Sequence, residues 1–457
     1  MARIDQPRPV NRVAIVGAGF SGALQAINLL RHDGPSAMLI ERRGDAGRGV
    51  AYSAAHPSHL LNVRAANMSA FPDEPDHFVR WLAANRPDLS GFVPRIVYGD
   101  YLRDLLDDAK RRAGDRLGLI RGDAVDLAMD GDTVRLRLAD GGTIEADRAI
   151  LAAGNLPPLE PPEIATAGLP ADLYAPDPWT GDLATGLSDD DTVLAIGSGL
   201  TMVDVALLLE AKGFRGRIVA MSRRGLAPRA HVEQPYRPLG YPERPPLDPV
   251  ALLRFVREAA ADGEWRAAVD GLRPHTQDIW LGASDTGRSR FLRHLRPWWD
   301  VHRHRLAPEV ASRIAEMQAR GQLSIVAGKL SSVERESPHA RVRWRPRGGD
   351  RIETLAVRRI VNCSGPMGNL DRATDPLLLN LRKAGLIRAD RHRLGIEVNA
   401  AAETIGANGL ANPRLLALGP MTRGAFWEIV AVPDIRTQTW SVARKLANAH
   451  WVGGEGL

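Results

Sequence analysis

Three glycines carry the first chemistry in this chain. In Val13-Ala14-Ile15-Val16-Gly17-Ala18-Gly19-Phe20-Ser21-Gly22-Ala23 they fall at the spacing G-x-G-x-x-G, directly after an apolar run. Gly17 permits a tight turn, Gly19 lets the backbone reach a diphosphate, and Gly22 lets helix and strand pack closely. The diphosphate then lies over a helix N-terminus that includes Phe20 and Ser21, where free N–H groups and the helix dipole favour negative charge. Nineteen residues past Gly22, a second apolar run, Ala37-Met38-Leu39-Ile40, ends at Glu41. A carboxylate there accepts hydrogen bonds from ribose hydroxyls and repels a 2′-phosphate. The unit predicts FAD or NAD.

The plan recurs at Val193-Leu194-Ala195-Ile196-Gly197-Ser198-Gly199-Leu200-Thr201-Met202, with Met202 where the third glycine would fall. That residue loosens the helix–strand approach but keeps Gly197 and Gly199 beside the diphosphate and Leu200 and Thr201 in the first helical turn. The next strand, Arg217-Ile218-Val219-Ala220-Met221-Ser222, ends in Arg223-Arg224 instead of an acid. A guanidinium forks onto a phosphate through two hydrogen bonds, so the pair predicts NADPH over NADH. The alternative is a solvated strand end.

Other reactive residue types are sparse. Cys363, the single cysteine, precludes an intramolecular disulfide and the paired thiols of a disulfide reductase. It follows an apolar strand, as a small buried hydrophobe would. The stretch Phe291–Arg305 gathers three histidines, Arg293, Arg296, Arg303, Arg305, Trp298 and Trp299. His302 and His304, two residues apart, do not share a helix face, which argues against a metal site. Two readings of the stretch stay open: an anion pocket with Trp walls, or Trp298 and Trp299 packing a helical insert while the arginines face solvent. No nucleophile elbow with a Ser-His-Asp order is present.

The elements that must position these groups are short apolar runs ending in glycine. They are Val13–Val16, Ala149–Ala152 before Gly154, Val193–Ile196, Ile360–Cys363 before Gly365 and Leu415–Leu418 before Gly419. Such runs read as buried parallel strands. Helices are predicted at Ser21–Arg31, Phe78–Ala84, Tyr101–Ala113, Leu200–Lys212 and from about Asp434, and a hairpin at Val134–Ala146. Pro235–Pro249 reads as a loop. Pro249–Gly321 reads as helical with breaks at Gly263, Pro274, Pro297 and Pro308, and from Leu323 the pattern returns to strands, through Arg341–Trp344 and Ile352–Cys363. The expected fold class is α/β with two Rossmann-like domains. Residues 1–188 and 355–457 form a discontinuous FAD domain, into which an NAD(P) domain, 189–354, is inserted, itself carrying a helical insert at about 249–321.

At 457 residues the chain exceeds one hydrophobic core. Its net charge of +6 is scattered, without the clustered basic and aromatic module of a nucleic-acid binder. Met1–Asp5 lacks an apolar leader and no run of membrane-spanning length follows, so a cytoplasmic protein with no membrane span is expected.

The order of motifs, FAD unit, Gly154 strand, NAD(P) unit and a last glycine strand, resembles the two-dinucleotide-binding-domain flavoproteins. These include glutathione-reductase-like enzymes, flavin-containing monooxygenases and N-hydroxylating monooxygenases. Gly49-Val50-Ala51-Tyr52, His59-Leu60-Leu61-Asn62-Val63 with Asn67-Met68-Ser69, and Gly419-Pro420 with Trp427-Glu428 and Pro433-Asp434-Ile435-Arg436 resemble a bacterial family of FAD/NAD(P)-binding proteins whose members mostly carry no assigned substrate. Asp147-Arg148-Ala149-Ile150-Leu151-Ala152-Ala153-Gly154 is similar to the D-x-x-x-L-A-T-G motif of N-hydroxylating monooxygenases, with Ala153 for Thr. The Baeyer–Villiger signature is not visible, and Pro420 stands where the glutathione-reductase pattern places Asp. The resemblance implies a glutathione-reductase-like fold with FAD against Gly154, Gly419 and Pro420. It puts Asn62 in a flavin-facing loop, where its amide would hydrogen-bond the isoalloxazine rim or the nicotinamide, or else cap a local turn. Arg48, Tyr52 and Arg64 are further candidates near the flavin, and Asn62 and Arg64 are the weak catalytic candidates.

The expectation is an FAD-dependent, NADPH-using oxidoreductase of monooxygenase type, acting through a flavin C4a-hydroperoxide on a small-molecule substrate with molecular oxygen. The scarcity of acid–base constellations suits that route. The alternatives are a reductase passing electrons to a small acceptor and a non-catalytic FAD-binding protein. Oligomeric state is not readable from the sequence.

Overall fold

The computed structural model describes residues 10–53 and 56–447. Met1–Asp5, read above for a leader, lies outside the described residues. The chain divides into two compact units, one of Met1–Ser53, Arg64–Leu156 and Gly368–Leu457, the other of Ala54–Val63 and Pro157–Met367.

Seven strands come first in the chain: β1 (Arg12–Val16), β2 (Ser36–Glu41), β3 (Leu117–Arg121), β4 (Ala124–Asp130), β5 (Thr133–Leu138), β6 (Thr143–Ala146) and β7 (Arg148–Leu151). The second unit supplies β8 (Tyr174–Ala175), β9 (Thr192–Ile196), β10 (Arg217–Ser222), β11 (Leu323–Glu336), β12 (His339–Pro346), β13 (Glu353–Val357) and β14 (Arg359–Asn362). The chain then returns to the first unit with β15 (Glu403–Ile405) and β16 (Ala411–Ala417).

The first unit's main sheet has the order β15-β16-β7-β1-β2-β3, and β4-β5-β6 form a separate antiparallel sheet. β1 lies between β2 and β7, parallel to both, and Val13, Ala14 and Ile15 are fully buried. Removing each such Val or Ile from water contributes about 1.5–3 kcal/mol. The helix Phe20–Arg31 packs on this sheet and against the helix Val432–Leu446. Asp147 secures the start of β1, because its Oδ2 accepts from the N–H groups of Asn11 and Arg12 at 2.8 and 2.9 Å. The expected helix from Tyr101 begins earlier, at Arg95. Val97, Tyr98, Tyr101, Leu102 and Leu106 are buried along it, and this packing outweighs the weak intrinsic helix preference of Val97, Tyr98 and Gly99.

The second sheet runs β13-β12-β11-β10-β9-β14-β8. The strand-patterned segment Ile352–Cys363 holds two strands, β13 and β14. β13 pairs antiparallel with β12, and β14 turns away to lie parallel between β8 and β9. Both pairings lie in the second sheet, which is why residues 157–188 and 355–367 fall in the second unit along with 189–354. Arg359 holds the neighbouring loop: its buried guanidinium donates to the carbonyls of Asp172, Asp182, Leu183 and Thr185.

The helical segment includes Pro249–Ala259, Trp265–Gly271, Thr276–Gly282, Asp285–Arg290, Arg296–Arg303 and Pro308–Ala319. The expected break at Pro297 does not occur. A π turn, Phe291–Leu295, joins the helices on either side, and Pro297 sits in the first turn of Arg296–Arg303, where a missing N–H is tolerated. No helix among the described residues is long and apolar enough to cross a membrane.

Candidate functional site

In the first unit, backbone atoms converge on the N-terminus of the helix Phe20–Arg31. Gly17 has φ +97°, and a Cβ there would stand 2.4 Å from the carbonyl oxygen of Ala152, at the end of β7. A Cβ on Gly22 would stand 1.8 Å from the oxygen of Gly17, and one on Gly419, φ +74°, 2.5 Å from Ser21 Oγ. Only glycine permits these approaches, so the ends of β1, β7 and β16 close around one cradle. The first turn of the helix holds no acidic residue and its N-cap, Gly19, provides no side chain. Its leading N–H groups therefore lack intrahelical acceptors, and the positive end of the helix dipole favours negative charge in front of them. A dinucleotide diphosphate fits this donor set.

Glu41 stands beside the cradle. Its Oε2 accepts from Ala18 N–H at 3.0 Å and its Oε1 from Arg43 N–H at 2.8 Å. Each carboxylate oxygen keeps a further acceptor position, which suits ribose hydroxyls. Phe20 meets Tyr52 edge-on at 6.2 Å, and Tyr52 lies 4.9 Å from Tyr98. Burial pushes the Tyr52 phenol up to about 12, opposed by Arg95, so this aromatic wall stays uncharged. Gly154, φ +70°, would place a Cβ in open space. Pro420 starts a turn that satisfies itself: Gly419 N–H donates to Gln438 Oε1 at 2.8 Å, Gln438 Nε2 to Thr422 Oγ1, and Thr422 Oγ1 to the Gly419 carbonyl. None of the residues Leu418, Gly419, Pro420, Met421 and Thr422 that follow the strand is acidic. Arg64 spreads over the Phe92 ring, 4.8 Å from its centroid.

The second unit repeats the cradle. Gly197 has φ +118°, and a Cβ there would stand 2.2 Å from the carbonyl oxygen of Cys363, at the end of β14. Gly199 would meet nothing within 4 Å. The helix Leu200–Ala211 again has no acid in its first turn. Met202, at the third-glycine position, is fully buried. Burial pushes the Cys363 thiol well up, and the Asp204 charge adds to it, so the residue frames Gly197 and is no nucleophile.

The two arginines after β10 have different surroundings. Arg223 is exposed. Arg224 donates to the carbonyls of Arg293 and His294 at 3.1 and 2.9 Å. Pro297 has no N–H for the Arg293 carbonyl four residues before it, and Arg224 supplies a donor instead. Of the two, Arg223 is the one whose side chain stands exposed after the strand. Sequence reasoning missed the network behind it. Ser198, between the two glycines, lies 2.8 Å from Ser222 Oγ and donates to the Leu226 carbonyl, while Gly225 N–H donates to Ser222 Oγ at 3.0 Å. Small hydroxyls at Ser198 and Ser222 are the only signal the sequence held for it.

Asn62 belongs to the second unit, and its backbone carbonyl accepts from His231 Nε2 at 3.1 Å. His59, also missed, is buried: Nδ1 accepts from His56 N–H, so Nε2 carries the proton and donates to the Asp204 carbonyl at 2.9 Å. The aromatic-basic stretch differs from the expectation. Trp298 is 44 % exposed, while Arg305 is only 1 % exposed and pairs with Asp270 and Tyr236. The short helix Arg296–Arg303 buries Val301 instead, and Trp298 falls on its outer face. His302 turns to the Trp298 carbonyl and His304 to Asp300.

Residues 14–156 match a family model described as FAD-NAD(P)-binding. No curated protein matches the chain in sequence. Among solved structures, the ornithine hydroxylase PvdA of Pseudomonas aeruginosa superposes with a TM-score of 0.67 at 13% identity, covering 96% of this chain and 99% of that one. The cadaverine monooxygenase DfoA of Erwinia amylovora, bound to FAD, gives 0.67 at 12% identity over 96% and 95%. The L-lysine 6-monooxygenase of Pseudomonas syringae gives 0.65 at 16% identity over 97% and 100%. The chain thus carries an FAD-NAD(P)-binding domain over residues 14–156 and has, over nearly its whole length, the fold of the two-dinucleotide-binding-domain flavoproteins.

Proposed function

We propose that this protein is an FAD-dependent, NADPH-using monooxygenase that hydroxylates a nucleophilic nitrogen of a small amine. The observation that carries the reading is the pair of glycine cradles at helix N-termini, one with Glu41 hydrogen-bonded to its turn and the other followed by the exposed Arg223. Supporting it, the solved structures similar to this chain over its whole length include enzymes named for ornithine, lysine and cadaverine. Bound FAD supplies what no side chain here can, two-electron uptake from a reduced nicotinamide and activation of dioxygen.

The chain's own residues do the rest. Gly17, Gly19 and the N–H groups of Phe20 and Ser21 hold the FAD diphosphate, and Glu41 accepts the ribose hydroxyls. Gly197, Gly199 and the turn of Leu200 and Thr201 hold the NADPH diphosphate, with Arg223 forking onto the 2′-phosphate. Phe20, Tyr52 and Tyr98 exclude water with an uncharged wall. Asn62 serves as the neutral hydrogen-bonding group for a ring edge, and Gly154, Gly419 and Pro420 leave backbone room along the flavin side.

The test follows NADPH and dioxygen consumption by FAD-loaded protein with ornithine, lysine and cadaverine, together with hydroxylamine and hydrogen peroxide. One amine should raise NADPH oxidation and convert peroxide release into hydroxylamine. Fast flavin reduction with electrons passing to a quinone, and no hydroxylated product from any nucleophile, would make the protein a reductase. No reduction by NADPH would leave only a binding protein.

A further inference from the structure

The loop passing over the first cradle carries a cation with an unfilled donor. Gly47 N–H donates to the Ala18 carbonyl at 2.7 Å, which ties the loop to the glycine turn. A Cβ on Gly49, φ +62°, would stand 3.1 Å from Gly19 Cα and 3.5 Å from Phe20 N, inside the space in front of the helix N-terminus. Arg48 lies between them, with its side chain 13% exposed. One guanidinium nitrogen, Nη2, donates to Asp100 Oδ1, while Nε is buried and finds no acceptor among the described residues. The helix Arg95–Ala113 backs the side chain: a Cβ on Gly99 would stand 3.3 Å from Arg48 Cδ and 2.8 Å from the Tyr52 carbonyl oxygen. Asp100 Oδ2 also faces Arg86 Nη2 at 3.7 Å, so its carboxylate is shared between two guanidinium groups.

A buried guanidinium N–H without an acceptor is unfavourable, and an anion in the adjacent cradle removes the penalty. We propose that Arg48 is the side-chain arm of the diphosphate site, donating Nε–H to the dinucleotide's diphosphate opposite the helix N–H groups. Asp100 is its positioning residue, holding the guanidinium plane from the far side. This rests on the assignment of the cradle to FAD. It adds a cation to a site that backbone N–H groups otherwise form alone.

The test measures FAD affinity by titration into flavin-free full-length protein, with ADP as a second probe that carries the diphosphate without the flavin. Arg48→Ala should weaken both ligands about tenfold or more, the loss expected for one charge-assisted contact. Arg48→Lys should recover part of the loss, since the charge remains without the fork. Asp100→Asn should weaken FAD in the wild-type background and have no further effect in Arg48→Ala, a non-additivity that a merely structural Asp100 would not produce. FAD and ADP affinities within twofold of wild type in Arg48→Ala would overturn the proposal. If that variant melts far below wild type, Arg48→Met, which keeps the length of the stem without the charge, decides: folded protein with wild-type FAD affinity would assign Arg48 to packing. Failure of the wild-type chain to take up FAD would instead remove the assignment of the cradle.

Discussion

Adding one methyl group at Gly22 should separate the glycine turn from its helix. The new carbon would stand 1.8 Å from the Gly17 carbonyl oxygen and 3.2 Å from Ala152 Cβ, where ordinary contact begins at 3.4 Å. The atom in the way is backbone, so the helix Phe20–Arg31 must retreat by about 1.6 Å, the difference between those two distances to oxygen. Overpacking of this kind costs about 1–3 kcal/mol of stability. A retreat of that size also breaks hydrogen bonds from the leading N–H groups to a diphosphate, at about 1.5–3 kcal/mol for each one lost to a charged acceptor. FAD affinity of Gly22→Ala should therefore fall about ten- to a hundredfold for one lost bond, read by fluorescence titration beside a thermal melt of the flavin-free protein. Gly199→Ala is the control: its Cβ meets nothing within 4 Å, and its stability should stay within about 0.5 kcal/mol of wild type. Gly22→Ala protein that binds FAD within twofold of wild type, with an unchanged melt, would refute the reasoning.

Arg223→Ala should raise the KM for NADPH about ten- to a hundredfold and leave that for NADH unchanged, since one forked phosphate contact is lost; equal effects on both cofactors would sink the 2′-phosphate role. Arg224→Met should cost about 0.5–1.5 kcal/mol, because the carbonyls it releases belong to the exposed residues Arg293 and His294, and Pro297→Ala in that background should recover part of it by restoring a backbone N–H. Additive losses in a double-mutant cycle would show that the two residues are not coupled. Burial alone would raise the Glu210 carboxyl, but hydrogen bonds from Arg313 and Arg320 outweigh it and hold the group below the usual carboxylate range. A depressed folded value means the contribution is complete above the unfolded value of about 4.3 and disappears as pH falls through the folded one. The stability gap between wild type and Glu210→Gln, about 1–3 kcal/mol near neutrality, should thus close in acid, as denaturant melts across pH will read; a gap that widens in acid reverses the sign.

Gly17, Gly22 and Gly197 were legible because their requirement is local: a turn with positive φ and a helix touching the preceding strand leave a fixed spacing in the chain. Glu41 was legible because the strand that carries it follows the helix directly. The separate surroundings of Arg223 and Arg224 were not legible, since Arg224's acceptors lie about seventy residues away on a π turn that no periodicity announces. Pro297 misled for the same reason, because a proline's cost depends on whether its carbonyl finds another donor. The division of Ile352–Cys363 follows from which neighbours its halves pair with, and an apolar run does not specify partners. Arg305, arginine in a stretch rich in arginine, gave no sign that Asp270 and Tyr236 would draw it inside.

The central claim is that the chain holds FAD and reduces it with NADPH. Anaerobic mixing of the FAD-loaded protein with NADPH, followed by the visible absorbance of oxidised flavin, tests it most directly. The account predicts complete bleaching within the turnover time, faster with NADPH than with NADH, and a slower NADPH reaction in Arg223→Ala at subsaturating cofactor. Flavin that stays oxidised with both nucleotides, or that NADH bleaches as fast as NADPH, would contradict it.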